Sequence, residues 1–122
     1  MPELVESARM AREAALTAED KKAKDVKILD IRSITTVADY FVICSGTNAT
    51  HVRAIADHVE EKLTALGYPL HHVEGYQNGR WILLDFGDVV VHVMQEQERE
   101  FYNLERLWGD AQEVAVTKAS AG

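Results

Sequence analysis

The sequence predicts an α/β domain of the α+β kind, a mixed β-sheet of about five strands with helices mainly on one face. Three observations predict it. Stretches with apolar residues at helical spacing alternate with short runs of β-branched and aromatic residues. Gly, Asn or Asp stands at most of the junctions between them. The third observation is size. A chain of 122 residues, 47% hydrophobic and 27% charged, can bury roughly two thirds of its unfolded surface in one core, so no staple is required.

Residues 3–22 lack Gly and Pro, and Leu4, Ala8, Ala11 and Ala15 recur at helical spacing, so an N-terminal helix is expected. Its stripe is mostly alanine, which buries little area and predicts weak docking. From Asp25 to Ile31, Val26, Ile28 and Asp30 alternate with Lys27, Leu29 and Ile31 as in a strand. An irregular connection over Ser33–Asp39 leads to Tyr40–Cys44, a continuous apolar run with the composition of a central strand. Thr47 or Asn48 can cap the next helix by accepting free N–H groups of its first turn. That helix carries Val52, Ile55, Ala56, Val59, Leu63 and Leu66 on one face, and it stops at Gly67 before Pro69. Leu70–Glu74 is a short candidate strand. Arg80–Asp85 and Asp88–Met94 then form a hairpin across Phe86-Gly87. Gln95–Trp108 reads as one helix with Phe101, Leu104 and Trp108 on a common face, Gly109 as its stop, and an acidic start suited to the helix dipole. The reading is one domain over residues 1–110 and a flexible tail over 111–122.

Side chains alternate across a strand, so antiparallel pairing puts Val89, Val91 and Val93 beside Ile82 and Leu84, an aliphatic core face. The opposite face carries Trp81, Leu83, Asp85, Asp88, Val90, His92 and Met94, too polar for a sealed core and too apolar for idle surface. Two alternatives stand at this point. Either the face is open, with Trp and Met as adaptable anchors for a protein partner, or Trp81 and Met94 pack beneath the N- or C-terminal helix.

Composition narrows the function classes. The net charge of −7 repels phosphate backbones and anionic membranes and favours a basic protein partner. Little or no direct nucleic-acid contact is expected. The start of the chain has neither the basic nor the apolar stretch of a secretory signal, and no run reaches the ~18 apolar residues of a membrane span. Cys44 stands alone, which excludes an internal disulfide and a cysteine-only metal site. These features lead to a cytoplasmic expectation. His71 and His72 are adjacent and point to opposite faces of a strand, and His51 and His58 are two helical turns apart, so no metal is expected. Asp85 and Asp88 flank a turn without a phosphate cradle, and Ser45-Gly46-Thr47 lacks the spacing and Lys of a P-loop. No cofactor and no catalysis are expected.

Taken together, Ala38–Thr47, Ile55–Lys62, Glu74-Gly75, Gly79–Met94 and Arg99–Trp108 resemble the ribosomal silencing factor family, the RsfS or Iojap-type proteins. The resemblance runs in order from about Asp25 to Asp110. It implies a nucleotidyltransferase-like fold without that superfamily's catalytic carboxylates. It implies binding to the large ribosomal subunit through its fourteenth protein, steric exclusion of the small subunit, repression of translation under nutrient limitation, and a possible homodimer when free. Trp81 falls where the family places its ribosome-contacting Trp. On this footing Trp81 is the expected anchor, Leu83 and Met94 its apolar support, Asp85, Asp88 and Glu96 the partners of basic side chains, and His92 a hydrogen-bonding member of the patch. Tyr102 could share this surface, and helical spacing makes Trp108 core.

Overall fold

The β-rich runs of the sequence and one further segment become six strands in the computed structural model, which describes residues 2–116. The elements in order are α1 (Pro2–Asp20), β1 (Lys24–Asp30), β2 (Tyr40–Gly46), α2 (Ala49–Ala65), β3 (His72–Glu74), β4 (Trp81–Asp85), β5 (Val89–Gln95), α3 (Glu96–Tyr102), α4 (Leu104–Leu107) and β6 (Gln112–Val114). The sheet order is β3-β4-β5-β2-β1-β6. β2, buried along its whole length, pairs in parallel with β5 from Tyr40↔Val89 to Gly46↔Gln95, and every other neighbouring pair is antiparallel. The fold is the mixed α+β sheet that the sequence predicts, with one more strand than about five. The extra strand is β6, at the start of the segment expected to be flexible. It pairs Val114 with Ile28 and covers the backbone groups of β1, which would otherwise form an open edge. The rest of the expected tail, residues 117–122, lies outside the described residues.

One face of the sheet carries the larger core. Ile28, Val42, Cys44, Ile82, Leu84, Val89, Val91 and Val93 meet Val52, Ile55, Val59 and Leu63 of α2 there. The expected hairpin register is present, with Ile82 opposite Val93 and Leu84 opposite Val91. α2 starts where Asn48 Oδ1 accepts the His51 N–H at 2.8 Å, and it ends before Gly67 at φ +95°. Leu66, expected on the buried face, is 39% exposed because the helix has ended by then.

α1 does not dock weakly. Ala11, Ala14, Ala15 and Ala18 are sealed in the same core beside Met10. Small side chains let a helix backbone come close to its neighbours, and the buried area then comes from the large residues of the sheet and α2 beneath it. The Leu4 side chain lies outside the described residues.

The other face is covered only in part. Leu29, Ile31, Phe41, Ile43, Val90, Met94 and Leu104 form a second, smaller core, flanked by Trp81, Leu83 and Trp108. The single helix expected over Gln95–Trp108 is broken at Asn103, which is left-handed at φ 46°, closes α3, and starts α4 by accepting the Arg106 N–H at 3.2 Å. The break turns Phe101 outward to 80% exposure, against its expected place beside Leu104. Trp108 remains inward, edge-on to Phe41 at 5.2 Å between ring centroids.

Candidate functional site

β4 opens with Trp81 directly after the turn that Gly75 begins. Gly75 sits at φ +79°, and a Cβ there would lie 2.1 Å from the Trp81 carbonyl oxygen, so only glycine lets the two backbone segments approach. Trp81 pairs with Met94, Leu83 with His92, and Asp85 with Val90, so all of these face the second core. Their exposure differs sharply. Trp81 and Leu83 are half-buried, His92 is 5% exposed, and Met94 is fully buried.

Two expected surface roles are therefore corrected. Met94 belongs to the second core with Ile43 and Leu104 and cannot itself touch a partner. Its position between β2 and β4 in the sheet, under the α3–α4 segment, leaves no path to solvent. His92 is buried as well, with the edge of Phe41 at 4.7 Å. Its contribution is internal: the Trp81 indole N–H donates to His92 Nδ1 at 3.1 Å. Burial holds the imidazole pKa down at about 4, so the ring is neutral at physiological pH.

Asp85 and Asp88 are not beside the indole either. Asp85 lies at the opposite end of β4, roughly 13 Å from Trp81 along the strand, and its Oδ1 accepts the Gly87 N–H at 2.8 Å to shape the hairpin turn. Asp88 is exposed in that same turn, and its carbonyl accepts the Asp39 and Tyr40 N–H groups at 2.7 and 3.1 Å. Glu96, at the start of α3, makes an exposed ion pair with Lys24 at 3.3 Å.

What surrounds Trp81 instead is aromatic. The Tyr102 ring stands 5.1 Å from it, and Phe101 packs edge-on to Tyr102 at 5.0 Å. Tyr102 is 50%, Phe101 80% and Leu107 72% exposed, and the three line a shallow groove with Glu100, Asn103 and Arg106. Helical spacing alone does not bring Phe101 and Leu107 to the surface. Asn103 was the available signal, since Asn is a poor helix interior residue that tolerates the left-handed conformation.

Arg99 holds this segment in place and had no sequence signal. It is buried, its Nη1 donates to Ser45 Oγ at 2.9 Å, and its Nε and Nη2 donate to Glu105 Oε2 at 3.2 and 3.1 Å. One guanidinium thereby ties α3 and α4 to the end of β2.

Among the described residues, no group of three or more His, Cys, Asp or Glu is placed to hold a metal ion. None of the described helices is long and apolar enough to cross a membrane. Cys44 is fully buried, and desolvation pushes its thiol up to about 12, away from nucleophilic use. The arrangement fits contact with another macromolecule: a half-exposed indole of fixed orientation beside exposed aromatic and aliphatic side chains.

Comparison with known proteins agrees along most of the chain. The family model described as "Ribosomal silencing factor during starvation" (RsfS) matches residues 5–121. A Bacillus subtilis protein named ribosomal silencing factor RsfS is 47% identical over 98 residues, covering 80% of this chain and 83% of that protein. A protein of the same name from Halalkalibacterium halodurans is 45% identical over 98 residues, with 80% and 84% covered. The crystal structure of a Chromobacterium violaceum protein matches with a TM-score of 0.78 at 36% identity, covering 95% of this chain and 93% of that one. With sequence and fold alike in agreement from α1 to β6, the chain belongs to the RsfS family of ribosomal silencing factors.

Proposed function

We propose that this protein is a non-catalytic anti-association factor of the cytoplasm. It binds the large ribosomal subunit through the subunit's fourteenth protein and keeps the small subunit from joining, which represses translation when nutrients are short. The observation that carries this reading is Trp81, half-buried, fixed through its N–H and continuous with Tyr102 and Phe101 on the less covered face of the sheet. Its indole N–H is already engaged, so the partner meets the ring as an apolar and π surface, suited to aliphatic stems and to cationic side chains. A net charge of −7 favours a basic protein surface over exposed RNA. The names of the relatives, ribosomal silencing factors, support the ribosome as the partner. The block itself is steric: a domain seated on the joining surface needs no chemistry, only residence.

Sedimentation with purified large subunits tests this. The protein comigrates and prevents formation of joined ribosomes when small subunits are added. Trp81→Ala, which removes an anchor worth about 2 kcal/mol or more, weakens comigration by about thirtyfold while the thermal transition of the free protein stays cooperative. Comigration unaffected by Trp81→Ala removes the anchor role, and binding without inhibition of joining removes the mechanism.

A further inference from the structure

We propose that His92 is the positioning residue for Trp81: a buried acceptor that selects one orientation of the indole and acts on partner binding only through it. The inference rests on the reading of Trp81 as the partner's anchor and concerns what holds that anchor ready.

His92 lies in the middle of β5, between Val91 and Val93 in sequence, and faces the second core with Val90 and Met94 on its own strand and Ile43 across the parallel pair. Every one of these neighbours is apolar. Because Nδ1 accepts the Trp81 N–H, a neutral ring carries its own proton on Nε2. Nε2 is buried and has no hydrogen-bond partner among the described residues. An imidazole here thus leaves its own Nε2–H unsatisfied, whereas an aliphatic side chain of similar size would leave the indole N–H without this acceptor. Stability by itself does not single out histidine at this position. What the imidazole supplies, and an aliphatic side chain cannot, is an acceptor for the indole N–H.

That bond decides a property that packing leaves open. A half-buried indole can turn over about its second side-chain torsion and still cover much the same core area, yet the turn exchanges the edge presented to solvent. The Trp81 N–H is directed to His92 on one side, and the Tyr102 ring stands at 5.1 Å and 47° to the indole plane. With the hydrogen bond in place, one orientation is selected before any partner arrives. An anchor that is already ordered loses less freedom on binding. The effect of His92 should therefore appear in affinity and in indole order, not in fold stability.

The test uses the full chain, with purified large subunits as the binding probe and NMR exchange of the Trp81 Nε1–H with water as the local readout. Trp81→Phe identifies the resonance by its loss. In His92→Leu the thermal midpoint is expected to stay close to that of the native sequence, the Nε1–H exchange to accelerate at least tenfold, and the affinity to fall about fivefold to tenfold, the scale of ordering one side chain. In His92→Asn, whose Oδ1 occupies the place of Nδ1, slow exchange and most of the affinity return, and this variant also serves if His92→Leu folds poorly. In the Trp81→Phe background, which has no N–H to hold, His92→Leu causes no further loss. Unchanged exchange and affinity in His92→Leu overturn the proposal, as does an equal affinity loss in the Trp81→Phe background, because His92 would then act independently of the indole. If Trp81→Ala leaves binding intact, the anchor reading fails on its own account, and the exchange rates of the His92 variants still decide whether the imidazole orders the ring.

Discussion

Trp81, His92 and Met94 share one face of one hairpin yet differ in what they can do. Met94 is sealed, His92 is sealed but polar, and Trp81 straddles core and solvent. The buried neutral imidazole has a consequence for stability that can be measured. Its pKa is lowered by desolvation from an ordinary 6.5 to about 4, so between those pH values the unfolded chain binds the proton and the folded chain does not. Stability is thus unaffected by this group above 6.5 and falls as the pH drops toward 4, by about 3 kcal/mol in total. Urea denaturation from pH 7.5 to 4.5 should show a steeper loss for the native sequence than for His92→Leu, with carboxylate effects common to both. Parallel curves would show that His92 takes up its proton in the folded protein as readily as in the unfolded chain. At this scale the sequence disclosed which residues share a face but not which of them lie under cover, because burial depends on elements that return from elsewhere in the chain.

The helices show how element length and side-chain size divide the work. α1 has an alanine face, and thin apolar stripes ordinarily mean weak docking. Here the absence of bulk is what lets the helix settle against the sheet and α2, with Ala14, Ala15 and Ala18 at 0% exposure. Ala14→Leu is expected to destabilise the fold by about 1–3 kcal/mol through overpacking, read as a lower urea midpoint, whereas a neutral outcome would mean the α1 interface is loose. The α3–α4 pair depends on a different device. Helical periodicity runs through Asn103 without interruption and predicts one helix, but the Arg99 guanidinium engages both Ser45 on β2 and Glu105 on α4. Glu105 can reach back to Arg99 because Asn103 turns the chain, and the same turn exposes Phe101 and Leu107. A partner in the chain fifty-four positions away from Arg99 leaves no local pattern to read.

For the molecule as a whole, the parallel β2–β5 pair is the hinge of the topology, since α2, β3 and β4 must all be placed between two strands that end up side by side. The long α1 and α2 take one face of the sheet, and of the described helices only the short α3 and α4 lie over the other, which is why the apolar side chains still accessible collect around Trp81. The opposite edge is finished by β6. Truncation after Ala111 removes this strand with the partly buried Val114 and Val116, and uncovers β1. A loss of about 2 kcal/mol follows from that apolar area, with a lower thermal midpoint and a greater tendency to aggregate through the open edge. A truncated chain with unaltered midpoint would show that β6 contributes nothing to the folded state.

Element types, their order and the aliphatic face of the hairpin were legible in the amino-acid sequence. Each is set by neighbours within a few residues, through side-chain alternation, helical spacing and the residues that stop them. The resemblance of the chain to ribosomal silencing factors singled out Trp81 among the residues of its face. Tertiary structure alone decided that Met94 and His92 are inside, that the last helix breaks outward at Asn103, that Arg99 ties α3 and α4 to β2, and that the supposed tail begins with a strand. Those outcomes depend on contacts between distant segments, where the energy of burying or exposing a side chain is set by what arrives to cover it.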